Sequence, residues 1–270
     1  MKTGKKKIFQ KIKLMVPLAL MSVTLGACSL TSQSSAPTSA STTTTQTAIS
    51  TTKTDTSSYF TDRDQDASYD ESTATKISLS GSTAKVSGDG ASVSGSTVTI
   101  TAAGTYVLSG SSENVQIVVK AGDSDKVQIV LNGVTMSGTD AAILVENAGK
   151  TSLTLADGSQ NTISDSSNHS NTDADAAIYS NSDLTLNGSG SLTVDGKYET
   201  AIKSEQTLRV TGGNYTLKAA KNGLSAASDI NIKDATIDIT ATEDAIHADN
   251  DEDTSVGTMY LSDNTITVTT

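Results

Sequence analysis

The sequence predicts an all-β chain wound as a parallel β-helix of about 22–24 residues per coil, on three observations. Apolar residues come in short alternating runs such as VTI, YVL, LTL, LRV and TIDI, bounded by Gly, Ser, Thr and Asn, which is a strand pattern with almost no helical periodicity. An apolar residue preceded by Ala or Gly recurs in DAAIL, DAAIY, TAIKS, NGLSA and DAIHA, at Ile143, Ile178, Ile202, Leu224 and Ile246, at intervals of 35, 24, 22 and 22 residues. Each of the later anchors is followed six residues on by a second apolar position, Leu184, Leu208 and Ile230, and then by a third, Leu192, Tyr215 and Ile237.

Three short strands per repeat place one strand of every coil in each of three sheets, with inward residues stacked about 4.8 Å apart. Corner stretches NGSG, TGGN and KNG are expected to supply left-handed backbone at the turns. A β-sandwich of antiparallel hairpins uses similar strands and turns, but hairpins would not hold two successive intervals of 22 in register. Residues 75–138 read as earlier, less regular coils that include an N-terminal cap. The last strand, TITVTT, has no polar capping segment after it, which favours a fragment of a longer solenoid over a paired open end.

Upstream of the repeat the composition changes twice. Lys2, Lys5, Lys6, Lys7, Lys11 and Lys13 precede the apolar run LMVPLALMSVTL, too short for an ordinary transmembrane helix and patterned as a secretory signal over residues 1–27. Its end, Leu25, Gly26, Ala27, Cys28, resembles the lipobox of bacterial lipoproteins. That resemblance implies a lipid on Cys28 and a protein held at the outer face of the cell membrane, where two acyl chains anchor stably and one does so marginally. Residues 28–58 are nearly all Ser and Thr and bury too little apolar surface to offset the entropy of ordering, which predicts a disordered tether. The β-helical domain is then 59–270.

The formal net charge is −11, and loss of the six leader lysines, with no acid among them, takes it to about −17. No basic stripe is available to displace counterions from phosphates, so nucleic acid is excluded as a partner. Cys28 is the sole cysteine, which excludes an intramolecular disulfide and a cysteine-based metal site.

Alignment of the five anchors stacks acids into columns. Three positions before them stand Asp140, Asp175, Glu199, Lys221 and Glu243, and three after stand Glu146, Asn181, Glu205, Ala227 and Asp249. Like charges at strand spacing need a counter-ion, and Lys221 is placed to serve Glu199 and Glu243. After the last anchor an insertion, DNDEDTS, lengthens the step from Ile230 to Met259 to 29 residues and brings in Asp249, Asp251 and Asp253 beside Glu243 and Asp244. Calcium takes six to eight oxygen ligands, so this set predicts a Ca²⁺ site against the alternative of a solvated acidic loop. An EF-hand is rejected because its Gly and bidentate Glu positions hold Thr254 and Tyr260, and zinc because His247 has neither a thiolate nor a second His nearer than His169. Asp173 and Asp175, in the insertion before Ile178, form a second acidic candidate for which the metal and the solvated readings stay open.

Taken together, ITAAGTYVLSG, KVQIVLNGVTM, LTLADGSQNTISD, DLTLNGSGSLTVDG, LRVTGGNYTL and DAIHADNDEDTS resemble the bacterial secreted carbohydrate-binding β-helix domains related in fold to calcium-dependent pectate lyases. The resemblance implies a right-handed β-helix that binds calcium and holds an acidic or plant polysaccharide, without lyase chemistry as its defining activity. It adds Asn222 to the metal set, because Asn222-Gly223-Leu224 and Asp244-Ala245-Ile246 match the family's repeating motif. Lys221 and Thr200 depart from that motif and concentrate the expected ion on the last coil. A lyase would need Lys203, Lys221 or Arg209 as base, and an adhesin or spacer would need only the solenoid. Trp is absent and the tyrosines share no column, which argues against crystalline cellulose.

Overall fold

The computed structural model describes residues 58–250, 253 and 255–269. The leader, Cys28, nearly all of the Ser/Thr segment, and Asp251 lie outside the described residues.

Three faces wind around one core. The first carries Ile143–Asn147, Ala176–Ser180, Thr200–Ser204, Leu224–Ala226 and Ile246–Ala248, all parallel. The second carries Lys150–Leu155, Leu184–Gly188, Leu208–Thr211, Ile230–Lys233 and Met259–Ser262. The third carries Gln160–Ser164, Ser191–Gly196, Asn214–Ala219, Thr236–Ala241 and Thr265–Thr269. The second and third faces share one hydrogen-bonded sheet, because the long strand Lys126–Ser137 pairs with Lys150–Leu155 through its first half and with Gln160–Ser164 through its second.

The expected register holds at every anchor. Ile143, Ile178, Ile202, Leu224 and Ile246 are successive Cα partners, as are Leu184, Leu208, Ile230 and Met259, and Leu192, Tyr215 and Ile237. The first four members of the first ladder are buried, so the core is a stack of aliphatic layers rather than a single centre. Toward the N-terminus the winding gives way to two antiparallel hairpins, Thr75–Gly81 with Thr83–Ser87 and Ala91–Ser94 with Thr97–Ile100. These are the irregular early segments that the composition predicts.

The corner glycines divide by cause. Gly188 in NGSG has φ +98°, and a Cβ there would stand 2.2 Å from the carbonyl oxygen of Leu155 on the preceding coil. Gly223 in KNG, expected to be left-handed, is not among the positive-φ residues; space alone excludes a side chain, since its Cβ would meet Ala245 O at 2.6 Å and Ile239 Cγ2 at 2.4 Å.

The outward side of the second face is covered by a segment that follows no repeat. Residues 59–69, with one helical turn at Asp62–Gln65, run across it as a strap. The Asp64 carboxylate is fully buried there. Its Oδ1 accepts from Lys150 Nζ and Thr185 Oγ1, each at 2.5 Å, and its Oδ2 accepts from the Thr61 amide and hydroxyl at 2.8 and 2.6 Å. Burial by itself would raise the Asp64 pKa, but these hydrogen bonds outweigh it and hold the group at about 2 against an ordinary 3.8.

A carboxylate with a depressed pKa stabilises the fold in its ionised form, fully above about pH 4, and the contribution is lost as pH falls through the folded value. Asp64 is therefore expected to supply about 2 kcal/mol at neutral pH that vanishes between about pH 4 and 2. Unfolding of wild type and Asp64→Asn measured across that range should converge at the acid end. A stability gap that does not change with pH would contradict this.

Candidate functional site

On the outward side of the first face one column runs Leu144, Tyr179, Lys203, Ser225, His247. The insertion before Ile178 covers its beginning, where Ala141, Leu144, Ala174, Ala176 and Tyr179 pack together. That insertion is pinned from inside. His169 Nε2 meets Asp165 Oδ2 at 2.9 Å, its Nδ1 meets Ala174 O at 2.9 Å, and Tyr198 stacks on the ring at 4.3 Å. Burial raises the Asp165 pKa, and the Lys197 amide and His169 oppose the rise. Asp140 accepts from the Ser170 amide and hydroxyl and from the Asn171 amide, which outweigh its burial and lower its pKa. This histidine serves the loop.

Past the insertion the column continues as half-buried Lys203, buried Ser225 and half-buried His247, and acids flank it on both sides. Lys203 lies between Asp175 Oδ1 and Glu205 Oε1, 3.0 Å from each, and Tyr179 donates to Glu205 at 2.9 Å. Partial burial would lower the Lys203 pKa, but its bonds to Asp175 and Glu205 raise it instead. Burial first, and then Glu205, push the Tyr179 phenol well above its usual range. Lys221 pairs with Glu199 at 2.7 Å, which raises its pKa. The expected sharing with Glu243 is reduced to a longer-range attraction, because the ammonium is drawn to the earlier coil.

The acid columns align as the repeat requires. Backbone amides of Lys221 and Glu243 donate to the carbonyls of Glu199 and Lys221, and those of Ala227 and Asp249 to Ser204 and Ala226. At the last coil the Asp244 amide donates to Asn222 Oδ1 at 3.0 Å, while its carboxylate meets His247 Nδ1 at 2.9 Å. Asp253 is turned to its own loop, accepting from the Ser255 amide and hydroxyl and donating its amide to Asn250 Oδ1. Asn250 Nδ2 ties that loop to Ala227 O.

Of the residues singled out as metal ligands, Asn222, Glu243 and Asp244 thus share the corner before Ile246–Ala248, whereas Asp249 stands at the other end of that strand. Asp253 sits farther along the insertion and Asp251 is outside the described residues. Asp173 offers its amide to Asn171 Oδ1, and Asp175 is committed to Lys203. Among the described residues no three His, Cys, Asp or Glu side chains already stand in metal-holding geometry. The corner is instead a set of hard oxygen donors on neighbouring coils, a chemistry that suits calcium better than zinc.

The residues that sequence reasoning passed over are those of the strap. The only local sign was Thr61 with Asp64 three residues on, an acid placed to cap a helical turn.

Comparison with known proteins agrees with this architecture. The family described as "Carbohydrate-binding domain-containing protein" matches residues 94–270. A carbohydrate-binding domain-containing protein of Acetivibrio thermocellus is 37% identical over 128 residues, which is 45% of this chain and 45% of that protein. The chain therefore spans about half the length of that relative. The solved polysaccharide lyase-like protein from C. thermocellum, in a gadolinium derivative, matches with a TM-score of 0.69 and 34% identity, over 72% of this chain and 81% of that one.

Proposed function

The chain belongs to the carbohydrate-binding domain family, and from that premise we propose that it is a surface lipoprotein that holds an acidic polysaccharide along the first face, through calcium at the acids that bound its last coil, Glu243 and Asp244 with Asn222 on one side and Asp249 on the other. The observation that carries this reading is the outward column of the first face, bounded on both sides by acids. Such a surface repels a polyuronate unless a divalent ion lies between protein and sugar carboxylates. Support also comes from the solved neighbour, a gadolinium derivative, since a trivalent lanthanide is a hard cation that favours the oxygen donors calcium favours.

Binding is preferred to catalysis on the state of the bases. A lyase needs an unprotonated amine to take the proton beside the uronate carboxylate, and Lys203 and Lys221 are both held in the ammonium form by their acids. Arg209 lies on another face, under the strap. The lipid at Cys28 and the tether to residue 58 would set the domain off the membrane surface, which suits a wall or extracellular glycan.

Polygalacturonate binding in calcium and in EDTA tests the reading. Chelation should weaken binding at least ten-fold, about 1.4 kcal/mol, and Asp244→Asn/Asp249→Asn should do the same with calcium present. Binding that survives both treatments would refute calcium bridging at these acids.

A further inference from the structure

We propose that the outward side of the second face is a separate binding surface for a carboxylated sugar chain, occupied by the protein's own residues 59–69 as an internal competitor. This rests on the polysaccharide-binding reading and gives it a second surface of opposite charge.

In a strongly acidic protein, three cations gather on this one face. Lys150 and Arg209 approach the Asp64 carboxylate at 2.5 and 3.8 Å, and Lys233 contacts Gln65 Oε1. What the face reads is oxygen. Arg209 Nε donates to Tyr59 O at 3.1 Å, Thr211 to Asp64 O at 2.5 Å, Asn187 to Asp66 O at 3.2 Å and Gln128 to Ser68 O at 3.3 Å. No strand lies within the strap, so it is held by side chains and not by a backbone ladder. Donors from successive coils thus follow one line of carbonyl and carboxylate oxygens, and a polyuronate presents carboxylate, hydroxyl and ring oxygens along a line as well.

The strap satisfies the surface incompletely. Asn231 is 4% exposed, yet its Oδ1 accepts no hydrogen bond, and the Tyr260 hydroxyl is buried without a partner. Buried polar atoms are rarely left so, and sugar hydroxyls, which the strap lacks at these points, would donate to both. Beside them the Tyr260 ring is covered by Tyr59, stacked at 3.9 Å and 14°. An aromatic face of this kind packs a sugar ring as well as a tyrosine. Exchange of Asp64 for a uronate carboxylate leaves no cation buried and unpaired, so one anion can replace the other without the penalty of breaking an ion pair.

The strap carries its own reporter, since Arg63 is exposed and stands within it. Trypsin cleavage after Arg63 in the full chain, followed by mass spectrometry in EDTA, should accelerate several-fold with oligogalacturonate and stay unchanged with a neutral cello-oligosaccharide. In the same buffer Asp64→Ala should bind oligogalacturonate at least ten-fold more tightly than wild type, and Asp64→Ala/Arg209→Ala should lose that gain. The proposal is overturned if the oligouronate leaves cleavage at Arg63 unchanged, if the neutral sugar accelerates it equally, or if the gain survives Arg209→Ala. Should Asp64→Ala fail to fold, the protease experiment on wild type decides. Because every arm excludes calcium, pectate binding that requires calcium without any effect at Arg63 keeps the first-face reading and rejects this one, and the reverse outcome rejects the first-face reading alone.

Discussion

Gly188→Ala is expected to destabilise the domain by about 3 kcal/mol or more, because two penalties fall on one atom. The residue sits at φ +98°, where L side chains are strained, and the added Cβ would lie 2.2 Å from Leu155 O and 2.8 Å from Leu155 N. Both obstacles are backbone, so no rotamer change relieves them. The Gly188–Leu155 pairing would have to open, and it holds two coils of the second face together. Gly158→Ala provides the control: φ is +64° with nothing within 4 Å, which leaves only the left-handed cost of about 1–2 kcal/mol. Urea midpoints of the two variants measure the difference, and equal midpoints would show that the coils slide apart more easily than their hydrogen bonds imply.

The second large effect is expected at Ile202→Ala. Ile202 is fully buried and lies between Ile178 and Leu224 in the first ladder. Layers above and below are fixed by backbone pairing, so the space left by the side chain cannot close, and about 3–4 kcal/mol should be lost. Met259→Ala, at the end of the second ladder and 48% exposed, should cost well under 1 kcal/mol. Thermal unfolding of the pair would contradict the layered core if the two losses were similar.

What could be read without coordinates follows from how far each interaction reaches along the chain. Ile178, Ile202 and Leu224 repeat because a solenoid asks the same question of the chain every 22 to 24 residues, and buried aliphatics answer it each time. The acid columns are visible by the same alignment, since backbone register carries every side chain with it. Which acid a given lysine chooses is not. Lys203 bridges Asp175 and Glu205, and Lys221 turns to Glu199, through rotamers that the repeat does not set.

The strap was hidden for a different reason. Asp64 meets Lys150 and Thr185 across 86 and 121 residues, once each, so no period announces the contact. The polar character of Thr185, Arg209 and Asn231 reads as ordinary solvent-facing strand, and only burial reveals that it faces the chain itself. Gly223 shows the same limit at a corner, where glycine answers a crowded neighbour rather than a dihedral requirement.

A stack of coils melts most easily from its ends, because each layer leans only on the next. The strap changes that rule. Tyr59 lies on Tyr260, while Tyr69 packs with Val107, Val130 and Ala156 several coils earlier. The segment is a splint laid along the stack, so opening of the Tyr260 coil must first lift a contact rooted several coils away, and layers that would otherwise unzip one by one are bound into a single cooperative unit.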